Sequence, residues 1–533
     1  MSKRIKHVLA LLSVAVVVAA CGGNGQSGND AAGGPPKRGG TLTLLERNDF
    51  AGAWPSGLDP ATNTTGGANM TQMNAIFGGL FVLAGNDDGS NIHVQPDLAS
   101  GYDLSPDGKT LKITIRDGVK FSDGTPFDAE AVAFNFKRDV SSSCTCAPKW
   151  PLVADNPITT EGNTVVVKFT RANAAVINGF TVSNVNWIAS PTALQKMGPD
   201  QFKIAPVGAG PFVVDHDVLS TELDLSRNPN YFKPGQPYLD KLIIKAIGGD
   251  QPAYQAIQAG QGQAYESMQT TPLVEQAKAN KNLQVTESLP TSPYVIQLNT
   301  KIAPFDNQRA REAIYYATNA DAINKGLFKG NYAVTQSFTA PGGLFYSPSV
   351  PGYRTFDLEK AKSIVQELGG LTVDLGLLKS YVAEQVGTAL QSQWQAAGIK
   401  VTMHSDQLSG TIQNFNSGKW QSMLQTAGSW DPAAGTGVSF RFASGVPYSG
   451  VADPALDNLL NQAAGDLDQA KRKSLYDQAA KLISDKAYAP FMFTITPANV
   501  VVKGVHGTGL TTKLAPVTGV NPTILWDTVW MSQ

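Results

Sequence analysis

The chain has 533 residues, 42% of them hydrophobic and 16% charged, with 42 basic against 43 acidic side chains. That length exceeds one simple core and predicts roughly two to four structural units. The balance falls to about −4 without Lys3, Arg4 and Lys6, which excludes the basic surface that nucleic-acid phosphates select.

In chain order, Lys3, Arg4 and Lys6 form a positive start, and Val8 to Ala20 an apolar run too short to span a bilayer as a permanent helix. The run ends in Val18-Ala19-Ala20-Cys21, which resembles a bacterial lipobox. Residues 1–20 are therefore expected to be a signal peptide and Cys21 a lipidated first residue, since two acyl chains anchor where one is marginal. Residues 22–40 are rich in Gly, Asn, Ser and Pro. They are expected to form a flexible tether reaching ~25 Å. Of the three cysteines, Cys144 and Cys146 remain. Outside the cytoplasm they are expected to pair with each other, and no nearby histidine favours a metal.

Alternating or β-branched runs predict strands at Thr41–Leu45, Thr110–Ile115, Thr164–Phe169, Glu222–Leu225 and Lys241–Ile247. Asp-Gly pairs at 107–108, 117–118 and 123–124 predict tight turns, because both residues tolerate positive φ. Asp357 is the expected cap of a helix with Ala361, Ile364, Val365 and Leu368 on one face, stopped by Gly369-Gly370. A strand at Leu371–Leu378 follows. Then comes a helix with Val382, Val386, Ala389, Leu390 and Trp394 on one face, and a strand at Ile399–Met403. That order predicts an α/β lobe. A later helix is expected to carry Leu475, Ala479, Leu482 and Ile483 on one face. No long linker divides residues 41–533, so the units should be joined by strands crossing between them, an arrangement suited to hinge closure.

The sequence has no phosphate-binding P-loop, no Gly-x-Ser-x-Gly elbow and no His-Glu-x-x-His pair. No cofactor, metal or catalytic residue is assigned. His93, His216, His404 and His506 are isolated in sequence and read as structural or surface residues.

A family likeness rests on a run of motifs. Pro96-Asp97-Leu98-Ala99, Ser105-Pro106-Asp107-Gly108-Lys109-Thr110, Arg116–Phe127 and Ala129-Glu130-Ala131-Val132 form its densest block. Gly208-Ala209-Gly210-Pro211-Phe212, Arg227–Phe232, Gln255–Gly260, Leu298-Asn299-Thr300, Pro304-Phe305-Asp306, Arg309–Ile314, Asp357–Lys362 and Ala397–Val401 follow in order. Together they resemble the bacterial extracellular solute-binding proteins of family 5, the oligopeptide, dipeptide and nickel receptors, over about residues 40–530. The resemblance implies a type II periplasmic-binding α/β fold. Lobe I would span 41–290 and return at 491–533, with a β-rich domain inserted at about 86–204. Lobe II would be 291–490, with crossovers at Tyr294–Leu298 and Pro490–Thr496.

The resemblance also implies a lipid-anchored, monomeric receptor that closes on a small solute, foremost a short peptide, and passes it to separate permease and ATPase subunits. In peptide-binding relatives an Asp in a lobe II loop takes the ligand amine. That loop resembles Gly428-Ser429-Trp430-Asp431 here, which makes Asp431 the expected amine partner. Trp and Asp-Pro stand closer together here than in those relatives, so sugar oligomers and metal chelates remain alternative ligands. A hydrolase with a spatially assembled site and a signalling receptor are alternatives of other classes. Thr64, Thr65 and Gly66 are the expected lobe I lining, where small residues admit close backbone approach. Tyr294, Trp187 and Trp430 offer aromatic surfaces or core packing, and Arg441 offers a fork for a carboxylate or a surface charge.

Overall fold

The computed structural model describes residues 34–48, 54–64, 69–142, 144, 146–435, 437–446, 449–514 and 523–532. The expected signal peptide, Cys21, tether residues 22–33, Thr65 and Gly66 lie outside them.

Two mixed sheets organise the chain. The seven-stranded sheet runs in the order Leu283–Glu287, Ala498–Val502, Ala264–Met268, Thr41–Arg47, Lys241–Ile247, Glu222–Arg227, Phe212–Val218. Its centre is parallel: Thr41–Arg47 lies between Lys241–Ile247 and Ala264–Met268 and runs with both. The five-stranded sheet runs Ile399–Asp406, Leu371–Leu378, Ser422–Thr426, Pro293–Leu298, Phe491–Thr494. The chain leaves the first sheet after Glu287, joins the second at Pro293, and returns between Thr494 and Ala498. The strand Phe491–Thr494 pairs with Pro293–Leu298 inside the second sheet, so the return starts a few residues later than residue 491. A four-stranded antiparallel sheet, Ala99–Leu104, Thr110–Ile115, Thr164–Lys168, Ile158–Glu161, carries the helix Ala129–Asp139. No helix among the described residues is long and apolar enough to cross a membrane.

Local chemistry explains the elements. Gly108, Gly118 and Gly124 all sit at positive φ, 67°, 75° and 85°, as the Asp-Gly turns require. Asp128 caps Ala129–Asp139 through Ala131 N, and Asp357 caps Leu358–Glu367 through Lys360 N. Gly208 and Gly210 pack against the end of the helix Met70–Phe77. A Cβ at Gly208 would stand 2.4 Å from Ile76 O, and one at Gly210 would stand 2.5 Å from Gly78 N. The isolated Gly-Ala-Gly is thus a backbone approach that only glycine permits.

The helix Gln469–Asp485 differs from expectation. It buries Arg472, Tyr476, Ala479, Ala480 and Ile483, while Leu475 and Leu482 are half-buried. The face turns because Arg472 is drawn inward by a buried carboxylate described below. Cys144 and Cys146 are joined by a disulfide.

Candidate functional site

The segments associated with the five-stranded sheet meet the rest of the chain along a polar and apolar seam. Asn178 Nδ2, on the short helix Val176–Phe180, donates to Asp431 Oδ2 at 2.8 Å. Ala174 N and Ala175 N donate to Ala464 O at 2.9 and 3.3 Å. Lys329 reaches Glu275 at 2.5 Å. Trp430 and Ala434 pack in one apolar cluster with Leu44, Met70, Met73 and Val182.

Asp431 is fully buried, and both its oxygens are used internally. Arg472 Nη2 donates to both, at 2.9 and 3.0 Å, Ala433 N donates to Oδ1, and Asn178 to Oδ2. Arg472 is buried as completely and also donates through Nε to Ala463 O. The expectation of a carboxylate waiting for a ligand amine therefore meets one already neutralised: an incoming ammonium would have to displace Arg472. The sequence reading missed Arg472 because its partner is 41 residues away.

The other expected residues divide. Gly428, at φ 151°, backs onto Thr291 and Ser292 so closely that a Cβ would lie 2.9 Å from Thr291 O. Ser429 is buried beside it, and Trp430 O accepts from Leu344 N. Tyr294 lies opposite Thr426 on the neighbouring strand and rests edge-on against Phe493. Burial pushes its hydroxyl pKa far up, opposed by the charge of Arg47. Arg441 is buried rather than at the surface. Its Nη1 donates to Gln425 Oε1 and its Nη2 to Thr426 O, and it lies over Phe440. Gly428 to Asp431, Tyr294 and Arg441 thus gather at one end of two inner strands of the five-stranded sheet, Ser422–Thr426 and Pro293–Leu298. Thr64 instead bonds to Ser56 on the exposed surface. Trp187 is sealed in the interior with its indole N–H on Asn74, which makes it core.

The sequence reading also missed a pair of carboxyls. Thr41–Arg47 and Ala264–Met268 are parallel neighbours with Leu44 opposite Ala264 and Leu45 opposite Tyr265, so Glu46 and Glu266 follow side by side. Both are almost fully buried. Gln72 Nε2 donates to Glu46, and Thr71 Oγ1 donates to Glu266 at 2.8 Å. Burial pushes Glu266 up to about 7, and burial with the charge of Glu266 pushes Glu46 well above the usual carboxyl range. The available signal was an acid inside each of two otherwise core-facing strand runs, Leu42-Thr43-Leu44-Leu45-Glu46 and Ala264-Tyr265-Glu266. Their pairing needed the register. Among the described residues no group of three His, Cys, Asp or Glu side chains stands ready to hold a metal.

A sequence model of the bacterial extracellular solute-binding proteins, family 5, matches residues 93–448. The glutathione-binding protein GsiB of Salmonella paratyphi A is 31% identical over 343 residues, which are 62% of this chain. That match spans 65% of the relative's length, just under two thirds. The periplasmic binding protein DppA of Helicobacter pylori, solved with the peptide STSA, superposes with TM-score 0.78 at 20% identity, covering 93% of this chain and 99% of that one. A dipeptide-binding protein of Pseudoalteromonas sp. SM9913, solved with Met-Leu, gives TM-score 0.78 at 19% identity, covering 92% and 100%. The likeness to these two structures shows the fold: this is the mixed α/β architecture of periplasmic binding proteins.

Proposed function

The chain belongs to the family 5 bacterial extracellular solute-binding proteins, and from that premise we propose that it is the solute-capturing subunit of an ABC importer, held at the outer face of the cytoplasmic membrane by lipid on Cys21. It captures by closure and performs no turnover. The observation that carries this reading is the way the chain joins its two large sheets. Among the described residues, only the segments 287–293 and 494–498 connect strands of one sheet to strands of the other. Hydrogen bonds such as Asn178 to Asp431 reach across elsewhere. Two short crossings act as a hinge, and contacts far from them can open and re-form. A solute touched from both sides favours the closed arrangement by its differential affinity for the two states.

Lobe I is 41–290 with its insertion near 86–204 and its return near the C-terminus; lobe II is the part between. The wall of lobe II is Gly428 to Asp431 with Tyr294 and Arg441. Thr64 belongs to the lining opposite, and Trp187 packs inside that part of the chain. Asp431 shapes this wall through Arg472. The solute is a short peptide or peptide-like compound, in keeping with the glutathione, STSA and Met-Leu named for the similar proteins. Separate permease and ATPase subunits receive it.

The test is mass spectrometry of small molecules released when the purified protein is denatured, followed by thermal-shift measurements with glutathione and Met-Leu. Released peptides, or a raised melting temperature with either compound, support the reading. Conversion of either compound to products by the protein would replace it with an enzyme. Cys21→Ser should move the protein from the membrane fraction to the soluble one; retention in the membrane would remove the lipid anchor.

A further inference from the structure

Glu46 and Glu266 lie at the carboxyl ends of the two central parallel strands, the edge where open α/β sheets receive ligands. Neither carboxyl makes an ion pair with a described residue. The protein supplies them with one hydroxyl, from Thr71, and one amide N–H group, from Gln72. The Gln72 carboxamide, held at the pair by that bond, has its carbonyl oxygen buried with no hydrogen-bond partner, and the residue has no solvent exposure. Two carboxyls and a bare carbonyl oxygen thus share one enclosed place, and among the described residues no cation pairs with either carboxyl. Buried acceptors of that kind are costly unless a donor reaches them.

The place is also under the seam. Leu44, on the same strand face as Glu46, and Met70, next to Thr71, belong to the same extended apolar core as Trp430 and Ala434 from beyond the crossing. Arg47, next to Glu46, is near enough to act on the Tyr294 hydroxyl. Opening at the proposed hinge would part Tyr294 from Arg47 and so uncover the neighbourhood of Glu46.

Resting on the receptor reading above, we propose that Glu46, Glu266 and the Gln72 carbonyl oxygen form the subsite that takes a primary ammonium group of the solute. Three acceptor groups match the three donors of an ammonium, whereas a guanidinium spreads five donors over a wide plane. Without solute, two adjacent buried carboxyls cannot both ionise, so the pair retains a proton. The arriving ammonium takes the place of that proton, which leaves to solvent: one cation enters, one proton departs, and no bond other than O–H is broken. The raised carboxyl values of both residues agree with this exchange.

The test compares Met-Leu and glutathione with their N-acetylated forms by titration calorimetry, on the unaltered protein and on Glu46→Gln and Glu266→Gln. Acetylation should weaken binding to the unaltered protein roughly tenfold or more, as loss of a charge-assisted bond does. Each variant should weaken the free amines similarly and make acetylation cost little more. A second measurement needs no variant. Titration at pH 6 in buffers of different ionisation enthalpy should show net release of about one proton or more per bound amine, and none for the acetylated form. If acetylation costs the variants as much as the unaltered protein, or no proton is released, the ammonium sits elsewhere and the subsite is overturned while the receptor reading stands. Binding only of solutes without an ammonium has the same consequence. If the protein binds no solute at all, the receptor reading falls and the subsite with it.

Discussion

Asp431 and Arg472 each have no side-chain exposure, and the consequence is measurable. Removing one partner of a buried pair leaves the other charge uncompensated, so Asp431→Ala should cost about 3–5 kcal/mol of stability. Urea denaturation without solute would show it. A variant that lost solute binding at unchanged stability would instead assign Asp431 to the ligand. Glu266 gives a pH dependence of definite sign. Its folded value of about 7 lies above the usual 4.5, so between those values the folded state holds more protons than the unfolded one. Stability of the empty protein should therefore fall as pH rises through that window, by up to ~1.4 kcal/mol per pH unit. Melting temperatures at pH 5, 6, 7 and 8 should decline for the unaltered protein and decline less for Glu266→Gln. The residue types were legible in the sequence at both places. The partners were not: Asp431 reaches Arg472 across 41 positions, and Glu46 lies 220 positions from Glu266.

Where the sequence signal is local, elements followed from the residues themselves. Thr110–Ile115, Lys241–Ile247 and Leu371–Leu378 have the expected bounds, and Asp357 caps its helix as expected. Alternation and capping act within a few residues, so no tertiary information is needed. The face of Gln469–Asp485 was not legible, because a buried Arg472 breaks the apolar periodicity that defines a face. Gly208 was visible as a glycine but without a reason. The reason is Ile76 O, which leaves no room for a Cβ. Gly208→Ala should force the loop before Phe212–Val218 off the helix Met70–Phe77 and cost about 1–3 kcal/mol, as overpacking does. Thermal denaturation would measure it, and an unchanged melting temperature would mean that the backbone yields freely there.

For the molecule as a whole, the proposed hinge makes the two crossings, and the contacts made away from them, the determinants of how readily it opens. Asn178 donates to a carboxylate that Arg472 already holds in place, so under the proposed closure it adds a contact without carrying the pair's charge. Asn178→Ala should weaken the closed state by about 1.5–3 kcal/mol, the scale of a hydrogen bond to a charged group. Solute affinity should fall correspondingly, since a solute that selects the closed form binds in proportion to its population. Small-angle scattering should show a larger radius of gyration for the variant without solute and the unaltered value at saturating solute. Equal dimensions in every state would mean that the lobes do not move.

The sequence by itself determined the family, the α/β class and many of the strands and helices. Those rest on turn glycines, caps and hydrophobic periodicity, all of which act over short spans of chain. Only the tertiary structure decided that Asp431 is neutralised, that Trp187 is core, that Arg441 is buried, and that two glutamates lie side by side. Each of those depends on register and burial between segments far apart in the chain, and a side chain's charge state and availability follow from what surrounds it in space.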